Sequence, residues 1–314
     1  MNFYDYHSFD DVPGLIRETL EIKKSNHVSK IGEGKTMALI FLNPSLRTRM
    51  STQQAAYRLG MKVIGFNSSE AWPWEIKPGA IMNSNKSEHI KDAARVISSY
   101  VDIIGIRCFA GLEDREKDVS DKLIHEFIKY ATVPVVNMES AVFHPLQSLA
   151  DMATIEETKT TNKPKVCLSW APHPKALPHA VGNSFTQWIL NSGLDLTICH
   201  PPGYELDASI TSGAVISHNQ EEALEGADYV YVKSWCMSEP YGKCSDAYND
   251  WIINQEKMNL TQDGRFMHCL PIRRNVVATD EVLDGSRSLI NIQVENRMYA
   301  AQAVISRILK SISS

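Results

Sequence analysis

Short apolar runs alternate with helical patterns along nearly the whole chain. The first run, residues 36–42, has the continuous hydrophobicity of a buried strand, and Asn43-Pro44 ends it. The segment that follows has a helical pattern as far as Gly60, a residue typical of helix C-termini. The pattern therefore predicts a strand, a sharp turn and a helix in that order.

The same alternation continues to the end of the chain. Further strand patterns cover residues 62–66, 102–107, 133–137, 165–170, 195–199, 229–233 and 265–269. Helical patterns cover residues 88–100, 116–130 and 179–192. Strands that alternate with helices indicate parallel sheets covered on both faces. We predict an α/β protein of two domains, each a parallel sheet of about four strands flanked by helices.

A helical pattern over residues 146–158 and a polar segment over 159–164 mark the predicted domain boundary. A chain of 314 residues suits two domains of about 150 residues each. The amphipathic pattern over residues 295–308 predicts a closing helix that packs back on the first domain. The predicted division is therefore 1–145, 146–294 and 295–314.

Composition narrows the class of protein. The chain is 43% hydrophobic and 22% charged, with a net charge of −5, which argues against a nucleic-acid partner. Asp5, Asp10 and Asp11 interrupt any apolar core of a signal peptide, and no apolar run approaches the ~20 residues of a membrane span. The six cysteines lack disulfide-like spacing, so we expect reduced thiols and a cytoplasmic protein with no membrane partner.

Basic and polar side chains follow almost every predicted strand, where ligands bind in parallel sheets. The first strand leads into Ser45-Leu46-Arg47-Thr48-Arg49. A strand-to-helix turn offers unpaired backbone N–H groups and the positive end of the helix dipole, and arginine adds donors matched to phosphate oxygens. This turn is therefore a predicted phosphate site.

Three motifs in this order resemble those of the transcarbamoylases. The segment Ser45–Arg49 is similar to the family's Ser-Thr-Arg-Thr-Arg loop, with Leu46 in place of a threonine. His144-Pro145-Leu146-Gln147 resembles the His-Pro-x-Gln element, and His268-Cys269-Leu270-Pro271 matches the element of the ornithine branch. Because the three matches spread over about 230 residues, together they carry the resemblance that each alone would not.

The branch of the family follows from what is absent. Ordinary ornithine transcarbamoylases carry an Asp-x-x-x-Ser-Met-Gly segment for the free α-amine, and this chain has none. Lys233-Ser234-Trp235, the proline-rich segment 170–178 and Trp72 resemble the N-acetylornithine and N-succinylornithine enzymes instead. An acyl cap removes the positive charge of the amine, so an acidic anchor would have no partner. The N-acetylornithine enzyme and, more distantly, the ordinary ornithine enzyme remain alternatives.

The resemblance implies two sets of binding residues. The set for carbamoyl phosphate is Ser45, Leu46, Arg47, Thr48, Trp72, Arg107, His144, Pro145, Leu146, Gln147, Cys269, Leu270 and Arg297. The set for the acylated ornithine is Trp72, Ser87, Glu139, His144, His173, Leu177, Lys233 and Arg273. Arg47, Thr48, Arg107, His144, Gln147 and Cys269 are the predicted catalytic residues.

The implied reaction is attack by a neutral δ-amine on the carbonyl of carbamoyl phosphate, with phosphate as the leaving group. Positioning and preorganised electrostatics are enough for this step, so we expect no covalent intermediate and no nucleophilic role for Cys269. His144 and Gln147 are predicted to donate to the carbamoyl group. Lys233 and Arg273 are predicted to pair with carboxylates, and Glu139 to accept from the amide N–H of the substrate.

Ser87 bears on the acyl group. In the resembling enzymes, glutamate at this position goes with acetylornithine and proline with succinylornithine, so serine matches neither. Because serine is small and neutral, we predict a preference for N-succinyl-L-ornithine over the acetyl compound. Serine is also a favoured helix N-cap, which is the competing structural explanation for Ser87.

Other classes fit the sequence less well. A nucleotide-dependent oxidoreductase would need Gly-x-Gly-x-x-Gly at a strand turn, and none occurs. No set of residues has the spacing of metal ligands, so we predict no metal and no cofactor. A non-catalytic relative would not need the full set of catalytic residues. By resemblance, Trp72 reaches a neighbouring subunit's site, which implies a homotrimer, although Trp74 is a rival for that role.

Overall fold

The computed structural model describes residues 1–67, 70 and 73–313. The chain forms two compact units. The first comprises Met1–Gly111, Glu116–Leu146 and Arg297–Ser314, and the second comprises Leu112–Arg115 and Gln147–Asn296. Each unit is built around its own parallel sheet, which confirms the predicted fold class.

The strands are β1 (Thr36–Phe41), β2 (Lys62–Asn67), β3 (Trp74–Glu75), β4 (Glu88–His89), β5 (Ile103–Arg107), β6 (Val135–Glu139), β7 (Lys165–Trp170), β8 (Asp195–Cys199), β9 (Val215–Ser217), β10 (Tyr229–Lys233) and β11 (Arg265–Met267). The helices are α1 (Val12–Ser25), α2 (Leu46–Arg58), α3 (Ile90–Ser98), α4 (Arg115–Val119), α5 (Lys122–Tyr130), α6 (Pro145–Thr158), α7 (Ala180–Asn191), α8 (Ala208–Thr211), α9 (Gln220–Leu224), α10 (Gln255–Met258), α11 (Asp280–Asp284) and α12 (Ile290–Ser313). Short 3-10 helices cover Tyr6–Ser8 and Asp246–Trp251. None of the described helices has the length and apolar character needed to cross a bilayer.

The first unit carries the sheet β2-β1-β5-β6, in which all neighbours are parallel. β5 and β6 are buried along their whole length, as expected where helices cover both faces of a parallel sheet. β3 and β4 form a separate two-stranded sheet. The helix that follows β1 ends as expected, since Gly60 adopts a left-handed φ of 83° just after it.

The second unit carries the sheet β11-β10-β7-β8-β9, also parallel throughout. β7 and β10 lie in its middle and are almost fully buried. Phe185 of α7 stacks on Tyr231 of β10, with ring centroids 4.0 Å apart. The short strand β9 has no counterpart in the sequence pattern, because its three residues are too few and too exposed to show one.

The closing helix packs on the first unit, as predicted. Gln302 accepts from Arg58 Nε at 3.1 Å, and Arg307 Nε donates to Glu18 at 2.8 Å. The helix is longer than the predicted 295–308, because buried Leu289 and Ile290 extend its apolar face towards the N-terminus.

Two predicted helices begin or continue differently in the structure. The helix predicted over 88–100 begins at Ile90, since Glu88–His89 pair with Trp74–Glu75 and His89 supplies the N-cap. The helix predicted over 116–130 is broken at Asp121, which has a φ of 46°. Its buried carboxylate accepts from Tyr4 and from the backbone of Ala141, and these tertiary bonds override the local helical preference.

Candidate active site

The predicted phosphate loop forms the N-terminus of α2. Ser45 is the N-cap, with extended backbone angles, and its Oγ accepts from Thr48 N–H at 3.2 Å. Arg47 is half-buried in the first turn, whereas Leu46 is exposed. The hydroxyl that the sequence places before the helix is therefore a cap, and the turn presents an arginine beside the positive end of the helix dipole.

Two buried arginines converge on the Thr48 hydroxyl in the first unit. Arg107 at the end of β5 donates from Nη1 to Thr48 Oγ1 at 3.2 Å, and Arg297 of α12 donates from Nη2 to the same oxygen at 2.9 Å. Arg107 is 8% exposed and Arg297 is 6% exposed. Arg297 is 249 residues from Thr48 in sequence, so only the fold brings the two together.

Glu139 lies beside these arginines at the end of β6. It forms a buried ion pair with Arg107, and His144 Nε2 lies 3.4 Å from Glu139 Oε2. The guanidinium of Arg107 also lies over the ring of Phe109, 4.2 Å from its centroid. Contacts on several sides fix the orientation of Arg107 before any ligand is present.

The charges of this cluster favour a dianion. Arg107 and Arg297 are permanently positive, as is Arg47 in the first turn of α2, and Glu139 supplies one compensating carboxylate. A helix N-terminus with a surplus of guanidinium groups is a suitable phosphate site. Arg49 does not join it, since its guanidinium lies over Phe41, 4.2 Å from the ring centroid, and bonds Asn67.

In the second unit, Asp151 of α6 holds two buried amides. Asp151 Oδ1 accepts from Gln147 Nε2 at 2.7 Å and from Gln293 Nε2 at 2.8 Å. Gln293 Oε1 accepts from the backbone N–H of His268 at 2.8 Å. Sequence patterns point to Gln147 and to the segment after His268 but not to Gln293, because a buried amide on a helix carries no periodic signal.

Cys269 and Leu270 follow His268 directly in the sequence. Cys269 is buried, and Leu270 has a left-handed φ of 55°, an unusual conformation for a bulky residue. The hydroxyl of Tyr231 lies near Asp151 and Cys269. Burial, and then the negative charges of these two groups, raise the pKa of Tyr231 well above its ordinary value. The predicted carbamoyl element is therefore a tightly packed turn.

A second basic cluster lies at the end of β10. Arg273 Nε donates to His173 Nε2 at 3.1 Å, and the other ring nitrogen of His173 lies 2.8 Å from the carbonyl oxygen of Lys175. Burial lowers the pKa of His173, and the positive charges of Lys233 and Arg273 lower it further. A neutral imidazole that donates to Lys175 and accepts from Arg273 satisfies both contacts.

The remaining predicted residues are placed as follows. Leu177 is half-buried, and its carbonyl accepts from Cys236 N–H at 2.9 Å. Ser87 is exposed and precedes β4, so it is not the N-cap of α3, a role that His89 fills. Pro145 and Leu146 are buried in the first turn of α6. Trp72 lies outside the described residues.

Arg274 lies apart from these clusters. Arg274, next to Arg273, pairs with Asp284 at 2.6 Å and with Asp280, as expected for a structural arginine. Within the part of the chain that the structure describes, no group of three or more His, Cys, Asp or Glu residues has a geometry suited to a metal ion.

Comparison with known proteins identifies the family. Residues 4–157 match the carbamoyl-P binding domain of the aspartate/ornithine carbamoyltransferases, and residues 179–308 match the Asp/Orn binding domain of that family. The chain is 42% identical over 306 residues to N-succinylornithine carbamoyltransferase of Bacteroides fragilis, covering 96% of each sequence. It is 38% identical to N-acetylornithine carbamoyltransferase of Xanthomonas axonopodis pv. citri, covering 94% of this chain and 92% of that one.

Solved structures agree with the sequence relatives. A crystal structure of acetylornithine transcarbamylase complexed with acetylcitrulline matches with a TM-score of 0.92 and 35% identity, covering 98% of this chain and 99% of that one. A glutamate-to-serine variant of N-acetyl-L-ornithine transcarbamylase, complexed with carbamyl phosphate and N-succinyl-L-norvaline, matches with a TM-score of 0.93 at the same identity and coverage. The chain belongs to the aspartate/ornithine carbamoyltransferase family and is a carbamoyltransferase.

Proposed function

We propose that the enzyme transfers the carbamoyl group of carbamoyl phosphate to the δ-amine of an N-acylated ornithine, giving N-acylcitrulline and phosphate in arginine biosynthesis. The observation that carries the proposal is the convergence of buried Arg107 and Arg297 on Thr48 at the N-terminus of α2. A buried, surplus positive charge at a helix N-terminus is suited to phosphate.

The first unit supplies the phosphate end of the donor. Arg47, Arg107 and Arg297, with the hydroxyl of Thr48 and the backbone of the α2 turn, bind the phosphate group. As the C–O bond breaks, negative charge grows on the leaving phosphate, and donors already aimed at it lower the barrier. Because Arg107 is fixed by Glu139 and Phe109, little reorganisation is needed at that moment.

The carbamoyl group is recognised by His144, Gln147 and the turn at Cys269-Leu270. His144 donates to the carbonyl oxygen, where charge develops as the amine attacks. Main-chain carbonyls at Cys269 and Leu270 accept from the carbamoyl NH₂. The bond from Gln147 Nε2 to Asp151 uses one of the two amide N–H groups, so we propose that the second N–H has the donating role expected from sequence and that the amide oxygen accepts from the carbamoyl NH₂.

The second basic cluster binds the acylated amino acid. Lys233 and Arg273 pair with its carboxylates, and His173 orients Arg273. Three nearby positive side chains, those of Lys175, Lys233 and Arg273, suit an acceptor whose α-amine no longer carries a charge. The two N-acylornithine relatives named above support this class of acceptor.

We assign N-succinyl-L-ornithine as the preferred acceptor. Ser87 is exposed and leaves space and a hydroxyl where a glutamate would repel the distal carboxylate of a succinyl group. The glutamate-to-serine variant of the acetyl enzyme, solved with a succinyl ligand, is consistent with this assignment.

Steady-state kinetics test the proposed function. The native protein is assayed with carbamoyl phosphate and, in turn, N-succinylornithine, N-acetylornithine and ornithine. We expect kcat/KM to fall in that order, with ornithine at least 100-fold below the best acceptor, since a free ammonium would lie among positive side chains. Equal or better use of free ornithine would contradict the assignment of an acylated acceptor.

The acyl preference has its own test. Ser87→Glu should lower kcat/KM for the succinyl compound at least tenfold and change the acetyl value much less, while Ser87→Ala, the matched neutral variant, keeps the native preference. A Ser87→Glu enzyme that still favours the succinyl compound would overturn the role of Ser87.

We also propose a homotrimer. Leu46, Met50 and Tyr57 are exposed along one side of α2, and Ile64 is exposed on the edge strand β2. A run of exposed apolar side chains is typical of an interface. Sedimentation should give about three times the chain mass of 35.2 kDa, and Met50→Glu should shift the distribution towards monomer. A native protein that sediments as a monomer at assay concentrations would contradict the trimer.

A further inference from the structure

The buried carboxylate of Asp151 is not a predicted substrate contact, yet it joins two elements of the carbamoyl site. Its Oδ1 accepts from Gln147 at 2.7 Å and from Gln293 at 2.8 Å, and Asp151 is 0% exposed. Gln293 Oε1 in turn accepts from the backbone N–H of His268 at 2.8 Å. All four residues lie in the second unit.

The network fixes the orientation of Gln147. A carboxylate oxygen only accepts hydrogen bonds, so the amide nitrogen of Gln147 must face Asp151 and its oxygen must face away. An amide that was free to rotate would present either end to the carbamoyl group. Asp151 thereby selects one of two chemically opposite orientations.

The network also holds an unfavourable backbone conformation. Leu270 has a φ of 55°, which persists only where the surroundings enforce it. The bond from His268 N–H to Gln293 anchors the chain two residues earlier, and His268 Nδ1 accepts from Leu270 N–H at 2.9 Å. The turn is therefore tied to Asp151 through Gln293.

We propose that Asp151 is a positioning residue that, through Gln147 on one side and Gln293 on the other, holds the two carbamoyl-recognising elements in a fixed relation. This proposal rests on the proposed function and adds a role for two residues that touch no substrate. A displacement of about 1 Å in such elements can lower turnover about 100-fold, so the network acts on kcat rather than on phosphate affinity.

The first test compares two buried glutamines on the same helix. Gln293 and Gln302 of α12 are 1% and 0% exposed, and each accepts one hydrogen bond and donates another. Gln293→Met and Gln302→Met therefore each remove one accepted and one donated hydrogen bond. We expect both to lower Tm, but only Gln293→Met to lower kcat at least tenfold, with the Kd for inorganic phosphate within twofold of native. Equal kcat values for the two variants would overturn the proposal.

The second test uses a pH profile that a purely structural role would not change. Gln293→Glu keeps an oxygen for His268 N–H but sets a second carboxyl group against Asp151. When the pair shares a proton, the protonated carboxyl donates across the gap and the network survives. We expect the kcat of Gln293→Glu, measured relative to that of the native enzyme at the same pH, to be near one at low pH and to fall progressively as pH rises. A profile parallel to that of the native enzyme would contradict the proposal.

A third comparison separates geometry from charge at Asp151 itself. Asp151→Asn retains an oxygen in place of Oδ1 and should keep at least a third of native kcat, whereas Asp151→Leu should lose at least 90% of it. Equal losses in both would overturn the hydrogen-bond account. Absence of carbamoyl transfer by the native protein would instead refute the proposed function, so the two failures are distinguishable.

Discussion

The basic clusters of the two units differ in how firmly the protein holds them. In the first unit, Arg107 and Arg297 are buried and both donate to Thr48. In the second unit, Arg273 is exposed and Lys233 is half-buried. The partner of Arg273 there is the neutral ring of His173.

The difference matches the ligand that we propose for each cluster. Phosphate is the same in every turnover, so a rigid, preorganised set of donors is the best solution for the transition state. The amino-acid acceptor varies between branches of the family, and exposed side chains can change without unfolding the protein. We infer that turnover is controlled by the buried cluster and acceptor choice by the exposed one.

The largest effect is expected at Arg107. Arg107→Met removes a proposed phosphate donor and leaves Glu139 buried without its cation, so turnover should fall on the order of 10²–10³-fold and stability by about 3–5 kcal/mol. The double variant Arg107→Met/Glu139→Gln should regain much of the stability and none of the turnover. Urea unfolding and steady-state assays measure the two effects, and recovery of activity in the double variant would refute the phosphate role.

A smaller and more selective effect is expected at Arg273. Arg273→Met should raise KM for the acylornithine about 10- to 100-fold, since hydrogen bonds to charged groups contribute about 1.5–3 kcal/mol. The Kd for carbamoyl phosphate, measured by calorimetry, should not change. The matched control is Arg274→Met, whose guanidinium is engaged by Asp280 and Asp284. If Arg274→Met shifts KM as strongly, Arg273 has no special role.

Substitution of Cys269 tests whether the second unit supplies a group that reacts covalently with the substrate. Cys269→Ser keeps the main-chain carbonyls and the approximate size of the side chain, so kcat should fall by less than about tenfold. Loss of a true nucleophile would lower kcat by several orders of magnitude. Steady-state rates at saturating substrates decide between these results.

The smallest effect concerns His173 and pH. Burial and the nearby Lys233 and Arg273 lower the pKa of His173 below its ordinary 6.5. Between the lowered pKa and 6.5 the unfolded chain binds more protons than the folded one, so stability falls as pH drops through this window. Above 6.5 the group contributes nothing. His173→Gln should therefore lose less stability than the native protein between pH 7.5 and 5.5 in paired melts, and identical losses would contradict this.

The hydrophobic pattern and the capping residues predict those elements whose formation depends on residues close together in the sequence. The buried strands and the turn at Ser45 are all visible as apolar runs and capping residues, and the structure confirms them. The break at Asp121 is invisible in the sequence, because bonds to Tyr4 and Ala141 cause it. The start of α3 is wrong in the prediction for a similar reason, since β3 draws Glu88–His89 into a sheet.

The candidate active site shows the same division between residues that local motifs predict and residues that only the tertiary structure brings together. Motifs and resemblance point to Ser45, Thr48 and His144, and the roles of these residues stay predictions. The convergence of Arg297 on Thr48 spans 249 residues and depends on the path of α12. Gln293 is missed altogether, because nothing in its neighbours distinguishes it from another buried helical amide.

The most direct test of the central claim is mass spectrometry of a turnover with ¹³C-labelled carbamoyl phosphate and N-succinylornithine. The account predicts that the label appears in N-succinylcitrulline at the rate of phosphate release and that the intact protein, including Cys269, stays unlabelled. Label retained on the protein, or phosphate release without labelled N-succinylcitrulline, would contradict it.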